Sequence, residues 1–63
     1  MNVGERMLHY RAKHDLSQKK LAELLGVGVQ IVYRAESEKY KMHRVNEIKL
    51  MNKMDELEEV KNV

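Results

Sequence analysis

Gly26 divides the run from Gln18 to Glu36 into two short stretches, each with the apolar spacing of a helix. Leu21, Ala22 and Leu25 stand at spacings of 1, 3 and 4, which places them on one face of a helix over 18–25. Gly26 ends that helix, because glycine enters the left-handed region without a steric penalty. Val27 then plugs the turn, and Val32 with Ala35 forms the inner face of a second helix over about 29–36. Ala22 is small at the place where two crossing helices must approach closely. The stretch predicts two short helices joined by a tight turn.

A small residue early, a glycine in the turn and a branched residue midway through the second helix describe a helix-turn-helix unit. In such a unit the second helix enters the DNA major groove. The rest of the chain is read as helical too. It has no proline, its three glycines fall at 4, 26 and 28, and strand-type alternation is weak. A first helix is expected near 2–14, with Met7, Tyr10, Arg11 and His14 along one side. Asp15 and Leu16 make a short connection, with Leu16 dropping into the core. Ser17 is a good N-cap for the second helix, and Gly28 a weak one for the third.

Residues 37–43 read as a polar loop. Beyond it, Val45, Ile48, Leu50, Met51, Met54, Leu57 and Val60 recur at mixed spacings of 3 and 4. This part fits one long helix or two; Asp55 with Glu58 resembles a capping box and favours a break between Asn52 and Asp55. Leu50 and Met54 are assigned to the core, and residues beyond 55 to an interface. The expected fold is all-α: a compact bundle of four to five short helices forming one domain over 1–63.

A chain of 63 residues buries only about 60% of its unfolded surface, so its stability is marginal without a supplement. It has no cysteine, hence no disulfide or thiolate metal site. Dimerisation is the remaining common device, with residues 45–63 contributing the interface. No run of about 18 apolar residues exists to span a membrane. Gly4, Glu5, Arg6 and His9 stand where a secretion signal would have its apolar core, and a cytoplasmic location is expected. The net charge of +2 conceals an asymmetry. Residues 1–54 carry eleven Lys/Arg against six Asp/Glu, a balance of +5, whereas residues 55–63 balance to −3. A basic body with an acidic tail suits a protein that turns one side to a polyanion.

The chain resembles the Cro/phage-repressor family of helix-turn-helix domains, also called the XRE family, whose fold is lambda-repressor-like. The residues that carry the resemblance are Arg11, Leu16-Ser17-Gln18, Leu21 to Val27, Val32 and Glu36. It implies a bundle of five helices in which the second and third bind DNA, as a dimer on an operator of approximate two-fold symmetry. It also implies an ion pair between Arg11 and Glu36. The residues agree, since Arg11 shares the inward stripe of Met7 and Glu36 ends the inner face of the third helix. The chain departs from the family after Glu36. Ser37-Glu38 and Met42-His43 stand where a glycine and a proline are common, and Arg44, Asn46 and Glu47 stand where helix 4 is often apolar.

Gln18 matches a glutamine that the family uses to bond a phosphate, with Lys19 and Lys20 adding to the field. Val29, Gln30, Tyr33 and Arg34 face outwards from the third helix. Gln30 has the groups to bond adenine, Arg34 to bond guanine or a phosphate, and Val29 to contact a thymine methyl. Gly28 lets the backbone approach the sugar-phosphate wall. Tyr33 either lies over a phosphate or packs back on the second helix. Lys39 and Lys41, in a basic loop with Tyr40, His43 and Arg44, are further phosphate contacts.

Other chemistries find little support. His9 and His14 are five apart, off a common helical face, and His43 is distant, so no metal site is expected. Ser17, Ser37 and His14 show no spacing of an activated nucleophile, so no enzyme, cofactor or small-molecule ligand is expected. The expected function is sequence-specific, dimeric binding of double-stranded DNA by a transcriptional repressor of phage, plasmid or mobile-element type, acting by operator occupancy. The alternative is a protein-interaction module, an anti-repressor or antitoxin component, that pairs through residues 45–63.

Overall fold

The helix boundaries follow from the caps. In the computed structural model, which describes residues 2–37 and 41–59, four helices form: α1 (Val3–His14), α2 (Gln18–Leu25), α3 (Val29–Glu36) and α4 (Arg44–Glu59). Asn2 and Glu5 make a capping box at the start of α1, the Asn2 side chain accepting from the Glu5 N–H at 2.9 Å. The helix stops at Asp15, whose backbone is left-handed at φ 54°. Asp tolerates that region better than most residues, and the Leu16 N–H closes back on the Arg11 carbonyl at 2.9 Å.

Ser17 caps α2, its hydroxyl accepting from the Lys20 N–H at 3.0 Å. Gly26 ends that helix at φ 72°, and the Val27 N–H reaches the Ala22 carbonyl at 3.0 Å, the bond of a Schellman motif. Gly28 precedes α3 with no side-chain cap.

All four helices contribute to one core. Met7, Leu21, Val32 and Met54 are its fully enclosed side chains, one from each helix. Around them lie Val3, Tyr10, Ala22, Leu25, Ala35 and Leu50, all buried. α1 packs on the other three helices, and α2 packs on α3 and α4. Among the described residues α4 makes no close approach to α3. Gly4 sets the distance between α1 and α3: a β-carbon there would run into the Ala35 carbonyl oxygen.

The C-terminal region differs from the two helices that Asp55 and Glu58 favoured. α4 runs unbroken from Arg44 to Glu59, with no glycine or proline to interrupt it. The two acids do not start a new helix because α1 engages their carboxylates. Arg6 Nη2 lies 2.8 Å from Asp55 Oδ1, and Arg6 Nη1 lies 2.8 Å from Glu58 Oε1. Lys13 Nζ lies 3.0 Å from Glu58 Oε2. Leu57, assigned with the residues beyond 55 to an interface, instead packs half-buried against the core, since it continues the face of Leu50 and Met54. Val60 lies outside the described residues.

Bonds from Lys13 and Arg6 hold the Glu58 carboxyl at about 2, below its ordinary 4.5. A depressed carboxyl pKa stabilises the fold above the unfolded value, and that stability is lost as pH falls from about 4.5 towards 2. The melting temperature should therefore fall more steeply over that window in the native chain than in Glu58→Gln; parallel curves would dissociate Glu58 from acid stability. Gly4→Ala should lower the melting temperature, although alanine ordinarily favours a helix over glycine by ~1 kcal/mol. A higher melting temperature would show that α1 and α3 can separate without cost.

Candidate nucleic-acid interface

α3 has eight residues, and its two buried ones, Val32 and Ala35, fix which way the others point. At about 100° per residue, positions 30, 33 and 34 fall on the opposite side and position 29 on one flank. Val29 is 44% exposed and Tyr33 62%, and Gln30 and Arg34 are exposed beside them. Tyr33, left open by the sequence, faces outwards and does not pack back on α2. Gln30 folds its amide over Gly28, where a β-carbon would meet it. The surface thus combines an amide, a guanidinium, a phenol and one apolar side chain on a single helix.

A cluster built on Glu36 orients this helix. Only 6% of the Glu36 side chain is exposed, and Arg11 Nη1 lies 2.7 Å from Glu36 Oε1. Gln18 Nε2 donates to the same oxygen at 2.9 Å, and Arg11 Nε donates to the Leu16 carbonyl at 3.1 Å. One carboxylate therefore joins the last turn of α1, the start of α2 and the end of α3. The structure brings Arg11, Gln18 and Glu36 together, and it turns the Gln18 side chain inwards. A buried carboxylate needs more than one donor, and the Gln18 amide supplies the second.

The start of α2 remains an electropositive end. Lys19 and Lys20 are exposed there, Lys20 with Glu23 at 3.8 Å, and a helix N-terminus favours an anion. Lys41, His43 and Arg44 are exposed on the approach to α4 and at its first residue. Lys39 and Tyr40 lie outside the described residues. Arg6 and Lys13, by contrast, have their charge matched by Asp55 and Glu58. Among the described residues no three His, Cys, Asp or Glu side chains are grouped to hold a metal ion, and no helix is long and apolar enough to cross a membrane.

A family model described as helix-turn-helix matches residues 8–42, more than half of the chain. The chain belongs to the XRE-type helix-turn-helix family. Its match runs from within α1 through α2, the glycine turn and α3, and ends two residues before α4. The family is one of DNA-binding regulators, typically non-enzymatic, and the exposed face of α3 lies within the matched span. No curated protein and no solved structure matched the chain.

Removing Arg11 from this helix-turn-helix domain would leave the Glu36 carboxylate buried with a neutral amide as its remaining bonded side chain. Arg11→Ala should cost about 3 kcal/mol, the lower end for breaking a buried pair, since Arg11 is a quarter exposed. Chemical denaturation measures this directly, and a shift under about 0.5 kcal/mol, typical of an exposed pair, would rule out the orienting role.

Proposed function

We propose that this helix-turn-helix domain is a sequence-specific repressor that binds an operator of two-fold symmetry as a homodimer. The reading rests on the outer face of α3, where Val29 and Tyr33 are held in solvent with Gln30 and Arg34 between them. None of the four side chains is used to close the core. Gln30 reads adenine and Arg34 reads guanine, each through two hydrogen bonds, and Val29 meets a thymine methyl. Lys19 at the α2 start, Gly28 at the α3 start and Lys41 after the loop approach the backbone, with Lys39 assigned to the same role from the sequence. Gln18 acts from behind, fixing the α2 terminus on Glu36.

Dimerisation is placed on the outer side of α4. Val45 is 63% exposed and Ile48 47%, with half-buried Met51 one turn further on. α4 is thus apolar on two sides, Leu50 and Met54 inwards and these outwards, as expected of a helix covered on both. Two α3 helices then occupy successive major grooves about 34 Å apart. Occupancy of the operator in the cytoplasm would exclude the transcription machinery, the mode of a phage or plasmid repressor.

The same exposed α4 side favours a second reading, a protein-interaction module of anti-repressor or antitoxin type. Selection from randomised duplexes at two salt concentrations separates the two. Enrichment of a short two-fold-symmetric site, bound more weakly as salt rises, is expected for the repressor. Gln30→Ala and Arg34→Ala should each weaken that site by about 1–3 kcal/mol with the four-helix fold retained. Salt-sensitive binding without an enriched site would overturn sequence-specific repression.

A further inference from the structure

α4 packs on α1 and α2 but, among the described residues, makes no close approach to α3, and a trough of about 500 Å³ lies between α4 and the turn that leads into α3. Its floor is apolar: Leu25 at the end of α2, Val27 in the turn, Ile31 on the flank of α3, Met42 and Leu50. Leu25 and Leu50 are buried, whereas Val27, Ile31 and Met42 are half-buried and form its accessible lining. The α4 wall presents Asn46, Lys49, Leu50 and Lys53, the i, i+3, i+4, i+7 set of one helix face. That wall is about 10 Å long. Among the described residues no acidic side chain lines the trough, and both lysines are exposed along its edge.

We propose that this trough is a docking site for an acidic amphipathic helix of a partner protein. Two carboxylates one turn apart on the partner pair with Lys49 and Lys53, and its apolar side chains seat on Val27, Ile31 and Met42. The charge of the rim sets the sign of the partner, and the apolar floor sets its class. A DNA backbone would gain nothing from five apolar residues, since phosphate sites are built from hydrogen-bond donors. A small ligand would remain largely solvated in a trough open along one side, whereas a helix laid beside α4 covers it. Ile31 lies on the flank of α3 opposite Val29 and Tyr33 and about 60° from Arg34, so the docked helix would adjoin the outward face at Arg34. The proposal stands or falls independently of the repressor reading.

The test uses the full chain, isotope-labelled, with a synthetic 14-residue helical peptide carrying leucines at i, i+3 and i+7 flanked by glutamates four apart. Saturable shifts at Val27, Ile31, Lys49 and Lys53 are expected, and none from the same peptide with lysine in place of glutamate. The double variant Lys49→Gln/Lys53→Gln should bind the acidic peptide roughly tenfold more weakly, as expected for two exposed ion pairs, with its melting temperature retained. Equal shifts from both peptides, or none from the acidic one, would overturn the proposal. So would decanoate or a duplex DNA shifting these same residues at lower concentration than the acidic peptide does.

Discussion

The buried carboxylate of Glu36 is the point on which the geometry of the domain turns. A charge out of water is costly unless several donors meet it. Here two side chains from two other helices converge on one oxygen, Arg11 at 2.7 Å and Gln18 at 2.9 Å. Each donor has one backbone position from which it reaches. The carboxylate therefore fixes α1, α2 and the end of α3 together. Its second oxygen is buried without a hydrogen-bond partner among the described residues, which lowers the net stability of the cluster. The arrangement contributes orientation more than stability, and orientation is what a helix presenting side chains to a groove requires.

That dependence explains what could be read in the sequence. Gly26 and the Leu21, Ala22, Leu25, Val32 and Ala35 pattern revealed α2, the turn and α3, because each is a local rule of backbone conformation or helical period. The resemblance paired Arg11 with Glu36, and their places on inward stripes agreed with it. Gln18 was read as a phosphate contact, whereas in the fold its amide donates to Glu36; an amide at a helix start serves a solvent phosphate and a buried carboxylate equally well. Asp15 gave no sign that it would be left-handed; the Leu16 N–H bonded to the Arg11 carbonyl accompanies that turn. Gly4 was likewise silent, because its reason is the carbonyl of Ala35 on another helix.

The acidic end of the chain shows how a composition can mislead. Asp55 and Glu58 read as a helix start or as part of a tail held away from a polyanion. In the fold they sit one turn apart on α4 and neutralise Arg6 and Lys13 of α1. Two cations are thereby withdrawn from the basic surface. What remains exposed among the described residues includes Lys19 and Lys20 at the α2 start, Arg34 on α3, Lys41 and Arg44 on the approach to α4, and Lys49 and Lys53 beside the trough. A local i, i+3 rule failed here because a tertiary ion pair offered the same carboxylates a better partner.

α3 is held by very little of its own. Two of its eight residues are buried, and its start has no side-chain cap. A helix so short is marginal in isolation, so its order comes from its neighbours. Gly4 lets α1 come against Ala35, and the Glu36 cluster fixes the far end. Among the described residues the α4 backbone makes no close approach to α3, which leaves one flank of that helix open to the trough. The outer face and the open flank therefore belong to a helix whose position is set entirely from α1 and α2. A ligand on either side meets α3 already oriented, and contacts on one side need not disturb the cluster that orients the other.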